Sequence, residues 1–314
     1  MKIVLFGIGY WGKNHLRELS NNDKVTVLIV VDPFFESYTD LMNKYSDVNF
    51  YHSFSDALAE NKNIDGAVIA TPPSTHFEIA KICLENDIHV LVEKPMVESL
   101  DELKQLNEIA RNDLVLMSGH TYLYNPAIRK IKDIIDDGLI GKIMFIHSQR
   151  LNFGIMRKDI DVFLSLAPHD ISLIQFFLND QQHTKMIKNQ SNYTFSPYDD
   201  FSSTHLEYKN NVYAQIDVSW YYPKKIRSLT IVGTKKTIIF DDVSKKILLY
   251  DINIDSNYNH INNEFKEIEF DKNISPLTNE IKHFIEYIKQ PSECITGFNH
   301  TYNVINVIEE YYNE

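Results

Sequence analysis

The sequence predicts an α/β protein of two domains, a doubly wound parallel sheet followed by an α+β domain with a large, mostly antiparallel open sheet. Two observations support this prediction. Apolar strand segments and helical segments alternate through the first 120 residues, whereas longer segments of alternating polar and apolar residues follow one another afterwards. In addition, 314 residues exceed what one hydrophobic core usually holds. We therefore place one domain over residues 1–120 and a second over residues 121–314.

The first domain is predicted to contain six strands and five helices. The predicted strands are Ile3–Phe6, Val25–Val31, Val48–Tyr51, Gly66–Ala70, Ile88–Val92 and Leu114–Ser118. The predicted helices are Lys13–Ser20, Glu36–Tyr45, Phe54–Glu60, Thr75–Glu85 and Leu100–Arg111. Short, wholly apolar strands are typical of a parallel sheet that helices cover on both faces. Such sheets bind their ligands beyond the carboxyl ends of the strands.

The second domain is predicted to be dominated by strands. These are Lys142–Phe153, Ser203–Tyr208, Val212–Tyr222, Ser228–Val232, Lys236–Phe240, Lys246–Tyr250 and Phe265–Phe270. Predicted helices lie at Asn125–Asp137, Pro168–Leu178, Leu277–Lys289 and His300–Tyr312. Consecutive alternating strands separated by Asn, Gly and Asp indicate an antiparallel sheet with helices on one face.

Composition excludes several classes of partner. The net charge of −12 disfavours nucleic acid and anionic membranes. No apolar run approaches the length of a membrane span, and no signal-like segment precedes the first strand. The two cysteines, Cys83 and Cys294, lack the spacing of metal ligands. We therefore expect a cytoplasmic protein without a metal centre.

A glycine-rich turn follows the first strand. Gly7 permits a tight turn, Gly9 lets the backbone approach a pyrophosphate, and Gly12 lets the helix lie close to the strand. Tyr10 and Trp11 lie within the same turn. The alternative is an ordinary strand–turn–helix with incidental glycines, which the order of the surrounding elements disfavours.

An acidic residue, Asp32, ends the second predicted strand, about twenty residues beyond the last glycine. A carboxylate at this place accepts hydrogen bonds from ribose hydroxyls and repels a 2′-phosphate. The sequence therefore predicts a dinucleotide cofactor, NAD rather than NADP.

The tripeptide Glu93-Lys94-Pro95 follows the fifth strand. A charged pair at the mouth of a buried strand costs desolvation unless it has a use. Burial and a nearby cationic nicotinamide lower the pKa of a lysine, which makes it a usable proton donor or acceptor. The alternative is a surface Glu–Lys pair at a strand end.

Two further segments follow neighbouring strands, and the combination resembles a known family. Thr71-Pro72-Pro73-Ser74-Thr75-His76 follows the fourth strand and Gly119-His120 the sixth. With the glycine turn, Asp32 and Glu93-Lys94-Pro95, they resemble the glucose–fructose oxidoreductase/inositol dehydrogenase (Gfo/Idh/MocA) family, whose N-terminal domain has the Rossmann fold.

The resemblance implies a role for each of these residues. Gly7, Gly9 and Gly12 would bind the pyrophosphate, with Tyr10 and Trp11 as further cofactor contacts, and Asp32 would bind the adenosine ribose. Thr71, Pro72 and His76 would line the nicotinamide side. Glu93 would hold the cofactor ribose or position the lysine. Lys94 would be the catalytic residue that contacts the reacting oxygen.

A second signature of the family is an Asp-x-x-x-His pair on one helix face. The corresponding residues here are Ser165 and His169, so the expected aspartate is replaced. Asp161 and Asp170 lie at other spacings from His169. The alternative for His169 is a histidine at a helix start that satisfies local backbone.

The segment from Gln149 to Gly154 resembles the subgroup that acts on nucleotide-linked sugars. Arg150 would meet a phosphate or carboxylate, or it is a charge at a strand edge. The substrate candidates are Tyr122, Asn125, Arg150, Asn152, Ser165 and His169. Tyr124 and Trp220-Tyr221-Tyr222 offer flat surfaces to a sugar or uridine ring, or belong to the core or a subunit interface.

Together these features predict an NAD(P)-dependent oxidoreductase. Hydride would pass between nicotinamide and a carbinol or ketone carbon of a sugar, with Lys94 and His169 transferring the hydroxyl proton. Alternatives are an NAD-dependent glycoside hydrolase and a non-catalytic dinucleotide or sugar sensor. We expect a homodimer or homotetramer formed through the C-terminal sheet.

Overall fold

The computed structural model describes residues 1–111, 113–154, 156–157, 160–192, 194, 197–254, 256–257 and 259–313. The chain forms two compact units. The N-terminal unit comprises Met1–Thr121 and Ser275–Tyr302, and the C-terminal unit comprises Tyr122–Ile274 and Asn303–Glu314. The predicted second domain includes residues 275–302, whereas in the structure this segment belongs to the N-terminal unit.

The N-terminal unit contains a six-stranded sheet with the strand order β3-β2-β1-β4-β5-β6. Its strands are β1 (Lys2–Phe6), β2 (Val27–Val31), β3 (Asn49–Tyr51), β4 (Gly66–Ile69), β5 (His89–Glu93) and β6 (Leu116–Gly119). Every pairing in this sheet is parallel, which confirms the predicted architecture. The strand order reverses between β1 and β4, and such a switch point is where ligands of these sheets bind.

Helices accompany these strands along the chain. They are α1 (Tyr10–Ser20), α2 (Thr39–Lys44), α3 (Phe54–Glu60), α4 (His76–Glu85) and α5 (Leu100–Ala110). Ile3, Val4 and Leu5 of β1 are fully buried. The mostly apolar strands thus account for the buried parallel sheet.

Helix α8 (Pro276–Tyr287) belongs to the N-terminal unit because its apolar face packs there. A Cβ placed on Gly66 would lie 3.1 Å from Phe284 and 3.0 Å from Ile288, at the start of β4. Leu277 and Ile281 are buried on the same helix. Helix α9 (Phe298–Asn313) begins in the N-terminal unit, and its residues from Asn303 belong to the C-terminal unit.

The C-terminal unit contains an eight-stranded sheet with the strand order β14-β13-β12-β11-β7-β10-β9-β8. Its strands are β7 (Ile143–Phe153), β8 (His183–Ser191), β9 (Phe201–Tyr208), β10 (Val212–Ser219), β11 (Tyr221–Gly233), β12 (Thr237–Asp241), β13 (Lys246–Ile254) and β14 (His260–Ile268). All pairs are antiparallel except β7 with β10. The large, mostly antiparallel sheet is therefore confirmed.

Besides the C-terminal part of α9, the described residues of this unit form the helices α6 (Pro126–Asp136) and α7 (Val162–Phe177). Helix α7 packs on β7, β9 and β10, where Ile146, Leu206 and Ile216 are buried. None of the helices within the described residues is both long and apolar enough to cross a membrane.

Helix α7 is longer than predicted. It begins at Val162, six residues before Pro168, because the Asp161 carboxylate caps it by accepting the backbone N–H of Leu164 at 2.8 Å. The sequence pattern predicts a helix start at Pro168, but this proline lies inside the helix. Strand β8 is not predicted either, since its mostly polar sequence gives no apolar run.

Candidate cofactor and substrate sites

The glycine turn has the geometry that a pyrophosphate needs. Gly7 has φ +82°, and a Cβ on it would lie 2.9 Å from the carbonyl oxygen of Ala70. A Cβ on Gly12 would lie 2.0 Å from the Gly7 carbonyl oxygen, so no side chain is tolerated there. A Cβ on Gly9 would meet no atom within 4 Å. The backbone at Gly9 is therefore open to a ligand, while Gly7 and Gly12 allow the close contacts that form the turn.

Helix α1 begins directly at this turn. Gly9 is its N-terminal cap residue, and among the described residues no side chain caps the helix or adds an acidic group to its first turn. The first N–H groups of α1 therefore remain available to an anion, which the helix dipole also favours. Tyr10 and Trp11 are 81% and 46% exposed and contact each other edge to face at 5.7 Å.

Asp32 is buried and fixed by the backbone. Its Oδ2 accepts the N–H of Ile8 at 2.9 Å, and its Oδ1 accepts the N–H of Phe34 at 2.8 Å. The carboxylate thus joins the glycine turn to the loop after β2. Pro33 and Phe34 follow it in the sequence, and neither side chain can neutralise a 2′-phosphate.

His76 connects the loops that follow β4 and β5. Its Nδ1 lies 2.8 Å from the carbonyl oxygen of Pro95, and its Nε2 lies 2.8 Å from that of Thr71. The imidazole is buried. Thr71 is half-buried and Pro72 exposed. Of the three residues expected to line the nicotinamide side, Thr71 and Pro72 thus reach the surface, whereas His76 holds the two loops together beneath them.

Glu93 is buried at the end of β5, and Lys94 beside it is half-buried. The Glu93 Oε1 lies 2.8 Å from His15 Nε2, and its Oε2 accepts the backbone N–H of Lys94 at 3.2 Å. The Lys94–Pro95 peptide bond is cis. A Cβ on Gly119 would lie 3.1 Å from the Glu93 Cα, so glycine lets β6 approach this point closely. Glu93 is therefore placed to hold the backbone of Lys94.

The site residues predicted from the sequence do not include Glu280, His120 or their respective neighbours Thr121 and His300. Glu280 of α8 is fully buried, and Thr121 Oγ1 donates to its Oε2 at 3.0 Å. The rings of His120 and His300 are 5.3 Å apart. Burial and the nearby Glu93 raise the pKa of Glu280 well above its usual range. Burial, His300 and Lys94 lower the pKa of His120 well below its usual range.

A signal for Glu280 was present in the sequence. Positions 277, 280, 281, 284 and 285 follow the spacing of one helix face, and four of these five residues are apolar. The fifth is Glu280. A glutamate on an otherwise apolar face is informative because carboxylates are rarely buried without a partner.

In the C-terminal unit, Arg150 forms a buried ion pair with Asp170. Its Nε donates to Asp170 Oδ2 at 3.0 Å and its Nη2 to Oδ1 at 3.1 Å, while Ser148 Oγ donates to Oδ1 at 2.7 Å. Burial alone would lower the pKa of Arg150, but the Asp170 carboxylate raises it above its ordinary value. Arg150 is 7% exposed and lies on β7, an inner strand of the sheet, so it is not a charge at a solvated strand edge.

Tyr122 lies between Arg150 and His169. Its hydroxyl donates to the Asp242 carboxylate, the Arg150 guanidinium lies 4.8 Å from its ring centre, and the His169 ring lies 5.6 Å away. The cavity lined by Tyr122, Arg150 and Asp242 has a volume of only about 20 Å³, which is water-sized. The Tyr122 ring therefore contacts both the Arg150 guanidinium and the His169 ring.

Ser165 and His169 lie four residues apart on α7, and both are half-buried. Neither neighbouring aspartate replaces the missing carboxylate. Asp161 caps α7 and accepts from the Tyr312 hydroxyl at 2.7 and 2.6 Å, and Asp170 binds Arg150. The departure at Ser165 is therefore not compensated by these two acids.

The remaining substrate candidates differ in exposure. Asn125 caps α6 by accepting the N–H of Ala127 at 2.9 Å, and Asn152 is half-buried on β7. Tyr124 and Trp220 are buried, so they belong to the core. At the end of β7 and the start of β11, the aromatic residues Phe153, Tyr221 and Tyr222 are exposed. The Phe153 and Tyr221 rings are 5.7 Å apart, and the exposed Lys224 and Lys225 follow on β11.

Comparison with known proteins gives two family matches. Residues 1–120 match the GFO_IDH_MocA oxidoreductase family with an NAD-binding Rossmann fold. Residues 128–239 match the GFO/IDH/MocA C-terminal domain. The matched segments lie one after the other along the chain, in the order N-terminal domain and then C-terminal domain.

Individual relatives are distant. The chain is 32% identical over 139 residues to the 4-carboxy-2-hydroxymuconate-6-semialdehyde dehydrogenase of Sphingobium sp., covering 44% of each chain. It is 22% identical over 255 residues to the 2,7-anhydro-N-acetylneuraminate hydratase of Mediterraneibacter gnavus, covering 76% of this chain and 66% of the relative. These alignments thus span between less than half and about two thirds of the relatives' lengths.

Among solved structures, the UDP-N-acetylglucosamine 3-dehydrogenase GnnA from Acidithiobacillus ferrooxidans has a similar fold. The TM-score is 0.85 at 20% identity, over 99% of this chain and 96% of the other. At this identity the likeness shows the fold.

Proposed function

Because the chain belongs to the Gfo/Idh/MocA oxidoreductase family, we propose that it is an NAD-dependent dehydrogenase acting on a carbinol or ketone carbon of a sugar. The observation that carries the proposal is the arrangement of the N-terminal unit. Lys94 follows β5, beside the buried Glu93, and the open backbone of Gly9 follows β1. Both lie at the carboxyl ends of parallel strands, where ligands of such sheets bind.

The residues divide the work of binding and proton transfer. NAD supplies the acceptor for a hydride, and NADH supplies the hydride in the reverse direction. The N–H groups at the start of α1 bind the pyrophosphate, and the Asp32 carboxylate accepts from the ribose hydroxyls. Glu93 holds the backbone N–H of Lys94 and so orients this residue.

Lys94 is the proposed catalytic residue. In the oxidation direction, the neutral Nζ of Lys94 accepts the hydroxyl proton of the substrate. The C–H bond on the same carbon breaks, and the hydrogen leaves with both electrons of that bond as a hydride to NAD. In the reduction direction, the ammonium returns that proton to the carbonyl oxygen. We propose His169 as a further hydrogen-bonding group for the substrate, with Tyr122 and Arg150 orienting it from below.

A cofactor and substrate panel tests this function. The protein is incubated with NAD and, separately, with UDP-sugars, dTDP-sugars, free aldoses and inositol, and reduced cofactor is followed by its absorbance. We expect stoichiometric NADH formation with at least one sugar. Absence of any hydride transfer across the panel, with NAD bound, would favour a sensor and overturn the proposal.

We further propose that the sugar is linked to a nucleotide. Two observations support this: the fold neighbour is named as acting on a UDP-sugar, and the C-terminal unit exposes the Phe153–Tyr221 pair close to Lys224 and Lys225 in the sequence. Aromatic faces stack on bases and ammonium groups attract phosphates. Calorimetry with UDP, UMP and uridine tests it, and equal binding by Tyr221→Ala and wild type would contradict the assignment of these residues.

A reaction without net oxidation is the second candidate, because one relative is named as a hydratase. Such an enzyme would convert substrate while the total reduced cofactor stays constant, whereas the proposed dehydrogenase forms one NADH for each product. Parallel measurement of product and absorbance separates the two.

We also propose a homodimer or homotetramer formed through the open face of the eight-stranded sheet. Strand register places Tyr213, Phe145, Val232, Tyr250 and Phe265 in one row on the face opposite α7. Tyr213 and Phe265 are 45% and 60% exposed. Light scattering of wild type and Tyr213→Glu tests this: the variant should be smaller, and a monomeric wild type would contradict the proposal.

A further inference from the structure

The proposed mechanism does not use Glu280, although it is a fully buried acid in the N-terminal unit. Its Oε2 accepts from Thr121 Oγ1, while its Oε1 has no hydrogen-bond partner among the described residues. The ion pairs of the described residues include none to Glu280. A buried carboxylate without a cation is expensive, so such a group normally keeps its proton.

Glu93 is the nearby acid, and it is in a different situation. It accepts from His15 Nε2 at 2.8 Å and from the backbone N–H of Lys94 at 3.2 Å. Donors aimed at a carboxylate favour its ionised form. Two neighbouring buried carboxyl groups do not both ionise readily, and their protons belong to the pair. The hydrogen bonds therefore assign the negative charge to Glu93 and the proton to Glu280.

The other titratable groups of this region do not reverse the assignment. His120 follows β6, and its pKa is lowered well below the usual range by burial, His300 and Lys94, so His120 is neutral at neutral pH. His15 is paired with Glu93. Lys94 is the cation next to Glu93 in the sequence, and its backbone N–H donates to the Glu93 carboxylate.

We propose that Glu280 is a positioning residue that holds one proton in the Glu93–Glu280 pair, so that Lys94 adjoins one negative charge rather than two. A second negative charge would favour the ammonium form of Lys94 and make it a poorer base. The consequence for turnover rests on the proposed dehydrogenase function. The location of the proton does not.

Unfolding measurements on the cofactor-free protein test directly whether Glu280 keeps its proton in the folded state. A raised pKa in the folded state means that folding retains a proton that the unfolded chain releases above about pH 4.5. The folded-to-unfolded ratio attributable to this residue should therefore fall by up to tenfold for each pH unit above that value. Glu280→Gln should lack this component, and Glu286→Gln, an exposed change on the same helix, should retain it. Identical pH slopes in wild type and Glu280→Gln would overturn the proposal.

Infrared spectroscopy of the wild-type protein covers the case in which Glu280→Gln does not fold. With ¹³C-labelled glutamate, a buried protonated carboxyl gives an isotope-shifted C=O band that persists at neutral pH. We expect this band in the cofactor-free protein. Its absence at neutral pH would overturn the proposal without any variant.

The link to Lys94 is tested by the titration midpoint of its ammonium, followed by NMR on labelled lysine and assigned with Lys94→Arg. Glu93→Gln removes the charge of the pair and should lower the midpoint. Glu280→Gln replaces a group that is already neutral and should leave the midpoint unchanged. A larger shift for Glu280→Gln than for Glu93→Gln would place the charge on Glu280 and overturn the proposal. None of these readouts needs turnover, so an inactive enzyme with the expected titrations would contradict only the proposed function.

Discussion

At the scale of single residues, the side chains at the edge of the six-stranded sheet divide into two groups. His76 and Glu93 are buried and bind backbone groups of the loops, whereas Lys94 and Thr71 are half-buried. The first group holds the position of the second. Substitutions in the two groups should therefore differ in kind, since loss of a buried partner affects stability and loss of an outward group affects chemistry.

Lys94→Ala is expected to keep NAD affinity within a few-fold and to lose turnover by about 10²–10⁴-fold, the usual contribution of a general acid–base group. Calorimetry with NAD and the initial rate with the best sugar of the panel measure the two effects. Lys104→Ala, an exposed lysine on α5, serves as the control and should behave as wild type. Unchanged turnover in Lys94→Ala would refute the catalytic assignment.

Asp32→Asn is expected to lower the preference for NAD over NADP. The amide is neutral and no longer repels a 2′-phosphate, so the ratio of the two dissociation constants should shift by about tenfold, equivalent to about 1.4 kcal/mol. Both constants are measured by fluorescence titration. Asp40→Asn, an exposed change on α2, should leave the ratio unchanged. A ratio unaffected by Asp32→Asn would show that this carboxylate does not select the cofactor.

At the scale of elements, the sequence predicts the parallel sheet well and the sheet edge of the second unit poorly. Apart from Lys2, the residues of β1 and β4 are apolar because helices cover both faces of the sheet, which leaves a clear pattern. β8 carries mostly polar residues at an edge and leaves none. The start of α7 is set by the Asp161 cap. The sequence does not predict this start because Pro168, which lies inside the helix, is itself typical of a helix start.

The candidate site was predictable only where its residues follow the strands of the first sheet. The glycine turn, Asp32 and Lys94 each come directly after a strand, so order along the chain gives their common edge. Glu280 reaches the same unit through a helix more than 150 residues further on, as its bond to Thr121 spans 159 positions. Sequence order carries no information about such a contact.

The buried ion pair between Arg150 and Asp170 joins β7 to α7, and we expect its loss to destabilise the protein strongly. Arg150→Met leaves the Asp170 carboxylate buried without its cation, and we expect a cost of about 3–5 kcal/mol. Lys185→Met removes an exposed partner of Glu207 and should cost less than about 1 kcal/mol. Urea unfolding measures both. Equal effects would mean that the buried pair carries no special weight in this unit.

At the scale of the whole chain, each unit is assembled from segments that are distant in sequence. The N-terminal unit takes 275–302 from beyond the large sheet, and the C-terminal unit takes its last helical residues from beyond that segment. In the C-terminal unit, the Tyr311 ring stacks on Phe163 at 3.5 Å, and its hydroxyl lies 2.9 Å from Ser202 Oγ. Both units therefore depend on the C-terminal end of the chain for their cores.

This organisation predicts where a core substitution near the C-terminus acts. Phe284→Ala removes a fully buried ring that packs over Gly66 of β4, and the expected cost is about 3–5 kcal/mol. Because that ring belongs to the N-terminal unit, hydrogen exchange should accelerate in β1 and β4 more than in β7 or β10. Phe163→Ala is the matched control, since it removes a buried ring from the C-terminal unit and should reverse the pattern. If Phe284→Ala instead loosened the eight-stranded sheet first, α8 would have to be assigned to the C-terminal unit, as the sequence alone indicates.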